Sequence, residues 1–237
     1  MADEVKPSEQ FASPESVLAK FQTLDTLGLS AGQRPINGAR FTGKGPRVFF
    51  LGGVHGNETE GVAATAGFYD EYVAANKVAG LPCDLLFIPV LNPDGLLAFS
   101  RHNGNAVDLN RNMPTKDWVQ NAPGEKYYSG PAAGSEPETQ LLLQILTDFQ
   151  PEFILSLHSW KPMFNVNGPA HGHAQKMHAA LPYEITEDIG YPTPGSLGTY
   201  AGWERQIPTI TFEIERGLPL QQVWPTVRGA VLAAITG

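Results

Sequence analysis

A histidine and a glutamate lie three residues apart where an apolar run ends. His55 and Glu58 follow the apolar residues 48–54, and a second apolar run, residues 153–157, ends in His158. Two imidazoles and one carboxylate are the ligand set of a catalytic zinc ion that keeps one position open for water. The three residues therefore predict a zinc-dependent hydrolase.

Each of these residues also has an ordinary interpretation. A lone histidine such as His55 can be a hydrogen-bonded polar residue, and Glu58 can be a carboxylate favoured by a helix N-terminus. The metal interpretation is favoured because His55 and His158 both follow predicted strands. Ligands of open α/β sheets bind beyond the carboxyl ends of such strands.

A long polar loop, residues 92–134, carries many Asn, Gly and Pro residues and little periodicity. A segment of this kind inside a compact domain is usually functional. Arg101, Asn110 and Arg111 in this loop could face an anionic substrate group, because arginine binds carboxylates in a forked geometry. The alternative is that the arginines pair with nearby acids and only hold the loop.

Two acids lie on one face of a predicted strand near the C-terminus. Glu213 and Glu215 are two residues apart, so their side chains share a side of the strand. A buried acid needs a metal, a cation or a catalytic task. The alternative is a solvated acidic edge on which Arg216 pairs with Glu215. We favour Glu213 as the functional acid, with Glu215 as its competitor.

The elements that must position these residues alternate between buried strands and helices, which predicts an α/β sandwich with a mostly parallel sheet. The Gly- and Pro-rich residues 28–46 are predicted to be a connector. We expect an N-terminal extension, residues 1–46, that packs on a catalytic domain of residues 47–237. The predicted helices cover residues 13–27, 59–75, 135–149, 171–180 and 221–235, and the predicted strands cover 47–53, 84–91, 152–157, 163–166 and 208–215.

Composition excludes several classes of partner. The 237-residue chain has a net charge of −8 and no basic patch, so we expect neither nucleic acid nor membrane as a partner. Its polar, acidic start lacks the pattern of a signal peptide, no window approaches the ~20 apolar residues of a membrane span, and one cysteine permits no internal disulfide. We expect a cytoplasmic protein, and oligomeric state is not predicted.

Six features occur in an order and spacing that resembles the zinc metallocarboxypeptidase superfamily, over about residues 47–216. They are GGVHGNE, NPDG, Arg101, VDLNRN, SLHSW and TFEIE. Further segments, TKDW, GSEPET, NGPA and DIGYPTPGSLGTY, look like the bacterial murein peptide amidase branch, whose members cleave the amide between γ-D-glutamate and meso-diaminopimelate in cell-wall peptides. The resemblance implies a metallocarboxypeptidase-like three-layer fold, in which helices flank a mixed, mostly parallel twisted sheet.

The resemblance also implies a cofactor and a set of catalytic groups. The cofactor is Zn2+, with His55, Glu58 and His158 as its ligands. Glu213 matches the general base, and Arg101 matches the arginine that polarises the scissile carbonyl.

A further set is implied around the substrate, which would be a small peptide with a free carboxylate. Asn110 and Arg111 match the pair that holds this carboxylate, and Asp108 matches the acid that orients the first histidine ligand. Tyr191 lies about one residue from the position of the tyrosine that closes over the substrate, and Tyr200 is a weaker candidate for that role.

Two other functions stay open. One is a zinc-dependent N-acyl amino acid deacylase, like the aspartoacylase and succinylglutamate desuccinylase relatives, which share HGNE- and DLNR-like motifs. NPDG, GSEPET and the position of Arg101 favour a peptidase or amidase. The other is a catalytically inactive carbohydrate- or peptide-binding module, which is disfavoured because such a module needs neither a full ligand set nor Glu213.

Overall fold

The structure is a computed structural model that describes residues 13–122 and 124–236. Within these residues the chain forms one eight-stranded sheet and six α-helices. The strands are β1 (Asp25–Leu29), β2 (Pro35–Phe41), β3 (Arg47–Leu51), β4 (Asp84–Ile88), β5 (Phe153–Trp160), β6 (Met163–Asn167), β7 (Glu184–Thr186) and β8 (Thr209–Glu215). The helices are α1 (Pro14–Lys20), α2 (Thr59–Phe68), α3 (Pro93–Ala98), α4 (Pro137–Asp148), α5 (His171–Ala180) and α6 (Leu220–Thr236).

The sheet is mixed, with the strand order β1-β2-β4-β3-β5-β8-β6-β7. Its centre is parallel, since β3 pairs in parallel with β4 and β5, and β5 pairs in parallel with β8. Antiparallel pairs lie on both sides of this centre, β2 with β4 and β6 with β8. The carboxyl ends of β3, β5 and β8 therefore meet at one edge of the sheet.

Helices cover both faces of the sheet. Neighbouring residues of β3 point to opposite faces: Phe50 packs in a core with α2 and α6, whereas Phe49 packs in a second core with α4. Phe50 also contacts the rings of Phe68 and Phe87, with ring centres 5.1 and 5.2 Å away. These three layers confirm the predicted α/β sandwich.

The first part of the chain differs from the prediction. The helix expected over residues 13–27 ends at Lys20, and residues 35–41 of the expected connector form β2. The sequence did not predict β2 because this strand contains Gly38, and glycine is uncommon inside strands. Glycine is required here, since a Cβ at Gly38 would lie 2.7 Å from the carbonyl oxygen of Phe87. The domain boundary between residues 46 and 47 stays a prediction.

The polar loop of residues 92–134 contains more order than its composition predicts. It includes α3, which Asn92 caps by accepting a hydrogen bond from the Gly95 N–H, and a short 3-10 turn over Leu109–Arg111. None of the helices in residues 13–122 and 124–236 is long and apolar enough to span a bilayer.

Candidate metal centre and substrate cleft

Three donor groups from two separate segments of the chain converge at the edge where β3 and β5 end. The Nδ1 atoms of His55 and His158 lie 2.8 and 2.9 Å from the two carboxylate oxygens of Glu58. The two Nδ1 atoms are 3.2 Å apart, and all three residues are buried. The structure thus brings together the three residues that the sequence predicted as metal ligands.

The protonation of His55 shows that this cluster fits a cation. Nε2 of His55 lies 3.0 Å from Oδ1 of Asp108, which as a carboxylate can only accept a hydrogen bond. Neutral His55 therefore carries its proton on Nε2 and turns the lone pair of Nδ1 toward Glu58. A lone pair facing a carboxylate oxygen is repulsive, and a metal ion between them turns this repulsion into attraction. Two imidazoles and a carboxylate fit zinc.

Glycines and an asparagine shape the turn that carries His55. Gly53 has a φ of +60°, which favours glycine, and a Cβ at Gly56 would overlap the backbone of Gly95. Asn92 supports the same turn, because its side-chain amide donates to the carbonyl of Val54. The NPDG segment therefore holds the backbone beneath the first histidine.

The carboxylates of the site are kept ionised by their neighbours. Burial by itself would raise the pKa of Glu58, but the positive charge and hydrogen bonds that His55 and His158 supply when protonated outweigh it and hold that pKa well below its usual value. A metal ion bound in place of those protons would supply the same positive charge. Burial acts on Asp108 in the same way, and Arg101 and His55 hold its pKa below the usual range. Ionised carboxylates are the form that binds a metal and orients an imidazole.

Glu213 lies beside this cluster and behaves differently. It faces His158 in the register between β5 and β8, and its Oε2 is buried without a hydrogen-bond partner among the described residues. Burial raises its pKa to about 7, although His158 and Arg101 lower it. Glu215 is exposed, and Arg216 donates to the carbonyl of Asn57. Glu213 is thus the acid of this strand that lines the cleft.

The two arginines of the polar loop have different partners. Arg101 donates from Nε to Asp108 over 2.8 Å and lies 3.4 Å from Glu58, so the alternative of pairing with nearby acids holds in part for this residue. Arg111 is only 3% exposed, yet no ion pair of the described residues includes it, and its guanidinium donates to the carbonyl of Asn110. Arg111 therefore presents a buried positive charge to the cleft that no direct ion pair of the described residues neutralises, although the nearby carboxylate of Asp108 attracts it.

The GSEPET segment holds the loop that carries these arginines. Glu136 and Glu138, both buried, accept hydrogen bonds from the side-chain amide of Asn103. The Asn103 oxygen in turn accepts from the backbone N–H of Val107. Asn110 anchors a second loop, because its Oδ1 accepts from the N–H of Leu197 over 3.0 Å.

All of these groups line one cleft of about 1100 Å³. One wall is aromatic: the ring centre of Tyr191 lies 5.8 Å from that of Trp160 and 6.2 Å from that of Tyr127. Tyr191 thus lies in the cleft, whereas Tyr200 is outside it and packs against Arg205. Another wall is polar and includes Asn165, Asn167, Ser196 and Thr211. The sequence analysis gave no role to Tyr127 or to these polar residues, although Asn167 lies in the segment NGPA and Ser196 in DIGYPTPGSLGTY. The strand spacing of Asn165 and Asn167 is the other signal for this wall.

The burial of Glu213 predicts a pH-dependent stability in protein stripped of metal. The pKa of Glu213 is about 7 in the folded chain against a usual value of 4.5. Below pH 4.5 the carboxyl is protonated in both the folded and the unfolded chain, so it does not change the free energy of unfolding. As pH rises toward 7 the unfolded chain releases its proton first, so folded stability falls by an amount on the order of 3 kcal/mol. Glu213→Gln removes this loss.

Urea unfolding of the chelator-treated protein measures the effect. We expect the stability advantage of Glu213→Gln over wild type to be larger at pH 8 than at pH 4.5, and the exposed control Glu215→Gln to show no such difference. An equal advantage at the two pH values would contradict the raised pKa of this carboxyl.

Comparison with known proteins gives the family. A model of the zinc carboxypeptidase family matches residues 17–215. The chain is 31% identical over 190 residues to murein peptide amidase A of Vibrio campbellii, a match that covers 71% of this chain and 69% of the relative. It is 35% identical over 138 residues to murein peptide amidase A of Escherichia coli K12, covering 52% of this chain and 54% of the relative.

Solved structures share the fold. The murein-tripeptide amidase of Escherichia coli O157 superimposes with a TM-score of 0.69 at 23% identity, over 91% of this chain and 95% of that one. Carboxypeptidase A of Helicoverpa armigera gives a TM-score of 0.78 at 18% identity, over 93% of this chain and 69% of that one. Together with the family match over most of its length, these findings show that the chain belongs to the zinc carboxypeptidase family of hydrolytic enzymes.

Proposed function

We propose that this protein is a zinc-dependent amidase that cleaves the bond next to a free-carboxylate residue in small peptides, and that its substrate is the γ-D-glutamyl-meso-diaminopimelate bond of murein peptide. The observation that carries the proposal is the buried, unpaired Arg111 in the same cleft as the three converging donors and Glu213. The relatives named murein peptide amidase A support the substrate.

His55, Glu58 and His158 would hold the zinc ion, whose fit rests on their converging lone pairs. Bound zinc acts as a Lewis acid toward a carbonyl and lowers the pKa of a coordinated water. Asp108 keeps the His55 proton on Nε2, so that Nδ1 stays available as a ligand. Deeply buried donors also fix the direction from which a substrate approaches.

Glu213 is the proposed general base and acid. A carboxyl whose pKa is about 7 can take a proton from water and return it to the leaving amine near neutral pH. Its Oε2 has no hydrogen bond to break before it accepts that proton. Arg101 is the proposed stabiliser of negative charge on the carbonyl oxygen. Its pairing with Asp108 holds the guanidinium in place, which is the preorganisation that such stabilisation requires.

Arg111 and Asn110 are the proposed anchor of the substrate carboxylate. A forked guanidinium binds a carboxylate through two parallel hydrogen bonds, and Arg111 has no acid of its own to displace. Tyr191, on the aromatic wall, is the proposed cover of the bound residue. The anchor therefore sets the distance between the carboxylate and the bond that is cleaved.

The polar wall supports diaminopimelate as the residue that is released. Asn165 and Asn167 hydrogen-bond to one another, and Thr211 and Ser196 lie close by on the cleft surface. Amide and hydroxyl groups can satisfy both the amine and the carboxylate of a zwitterionic side chain, whereas a pocket for an aliphatic side chain would be apolar.

We also propose that the protein acts in the cytoplasm, without nucleic-acid or membrane partners; its acidic charge of −8 supports the absence of such partners. Recovery of the full-length protein in the membrane or secreted fraction of its cells would contradict this location.

A substrate panel tests the proposed function. Zinc-loaded protein is given the tripeptide L-Ala-γ-D-Glu-meso-diaminopimelate and, separately, N-acetyl-aspartate and N-succinyl-glutamate. We expect free diaminopimelate by amino-acid analysis and little release from the acyl amino acids. Faster cleavage of the acyl amino acids would overturn the proposal in favour of the deacylase alternative.

Replacing the proposed base separates binding of metal from turnover. Glu213→Gln keeps the shape of the side chain but cannot accept a proton, so we expect zinc content near that of wild type and a kcat lower by on the order of 10²- to 10⁴-fold. Zinc is measured by mass spectrometry of the dialysed protein. Turnover near the wild-type rate would refute the role of Glu213.

Replacing the proposed anchor changes substrate selectivity. Arg111→Ala should raise KM for the free-carboxylate peptide roughly tenfold or more and change KM little for the same peptide with that carboxylate amidated. Arg111→Lys is the matched control, because lysine keeps the positive charge but lacks the forked guanidinium. Its KM for the free-carboxylate peptide should lie between those of wild type and Arg111→Ala. Equal effects on the free and amidated peptides would count against the anchor.

A further inference from the structure

One aromatic ring contacts both of the arginines that face the cleft. The ring centre of Tyr127 lies 5.3 Å from Cζ of Arg101 and 5.0 Å from Cζ of Arg111. At these distances the electron-rich face of the ring attracts each guanidinium. Tyr127 is half-buried at the cleft surface and is outside every motif that the sequence analysis named.

The two arginines need such a partner because they repel each other. Burial lowers the pKa of Arg111 and the positive charge of Arg101 lowers it further, whereas the carboxylate of Asp108 raises it. An acidic partner would relieve this repulsion but would also occupy the charge that a substrate carboxylate needs. A ring attracts both cations without forming an ion pair, so the charge of Arg111 stays available, whereas Arg101 is already paired with Asp108.

The backbone on each side of Tyr127 is tied to the loop that carries the arginines. The carbonyl of Lys126 lies 2.9 Å from Nε2 of His102, and the carbonyl of Tyr128 accepts a hydrogen bond from the N–H of Asp108 over 2.8 Å. The carbonyl of Tyr127 accepts from the side-chain amide of Asn121. These hydrogen bonds therefore fix the backbone that places the Tyr127 ring beside both arginines.

We propose that Tyr127 is a positioning residue, whose ring sets the placement of Arg101 and Arg111 and leaves the charge of Arg111 available to an anionic substrate group. This proposal rests on the proposed role of the arginines in binding the substrate. The same ring also packs nearly parallel to Tyr191, at an interplanar angle of 27°, so it supports the proposed cover of the cleft.

Zinc-loaded variants test the ring. Tyr127→Leu and Tyr127→Met fill similar space without an aromatic face, and Tyr127→Phe keeps the face and removes the hydroxyl. For the Leu and Met variants we expect kcat/KM on the free-carboxylate peptide to fall about tenfold, mostly through KM, with a smaller fall on the amidated peptide. We expect Tyr127→Phe to stay within about twofold of wild type on both peptides.

Tyr200→Leu is the matched control, because it removes a tyrosine that stacks on Arg205 outside the cleft, and it should leave the selectivity between the two peptides unchanged. Calorimetric binding of free meso-diaminopimelate to each variant gives a second readout that does not need turnover. Unchanged selectivity in Tyr127→Leu, or an equal loss in Tyr127→Phe, would overturn the proposal. Failure of the wild type to cleave either peptide would instead contradict the proposed function.

Discussion

The structure is organised around an arrangement that is unfavourable without a cation. Two imidazole nitrogens lie 3.2 Å apart and both face the carboxylate of Glu58 in a buried position. Asp108 accepts the remaining proton of His55, so that ring cannot turn its N–H toward Glu58 without losing a buried hydrogen bond. The strands and turns around these groups fix their positions, which is how proteins hold sites in geometries that free side chains would avoid.

The fold fixes the positions of these groups and also gives the two carboxyl groups of the cleft different pKa values. The parallel centre of the sheet brings the ends of β3, β5 and β8 together, so His158 and Glu213 are neighbours in register. Glu58 is held ionised by positive charge at the two imidazoles, whereas burial raises the pKa of Glu213 to about 7. Two carboxylates with opposite pKa shifts in one cleft suit one binding role and one proton-transfer role.

The convergence of His55, Glu58 and His158 was predictable because each histidine follows an apolar run, and buried parallel strands end at a common edge. The choice between Glu213 and Glu215 was not decided by spacing alone, since both share a face. Only the structure shows that Glu213 is half-buried and lines the cleft, whereas Glu215 is exposed. Strand β2 was not predicted because it contains Gly38, a residue type that argues against a strand. The close contact with β4 requires a glycine there, and the sequence does not show that contact. Tyr127 was missed because a loop aromatic has no periodic signal and its partners are 16 and 26 residues away in the chain.

The most direct test of this account is X-ray absorption at the zinc edge for protein loaded with one equivalent of zinc. We expect a shell of nitrogen and oxygen at about 2.0–2.2 Å with the outer scattering of two imidazole rings. The same measurement on His158→Gln should show one ring fewer. A wild-type spectrum with no imidazole scattering, or one that His158→Gln leaves unchanged, would contradict a metal centre built from these residues.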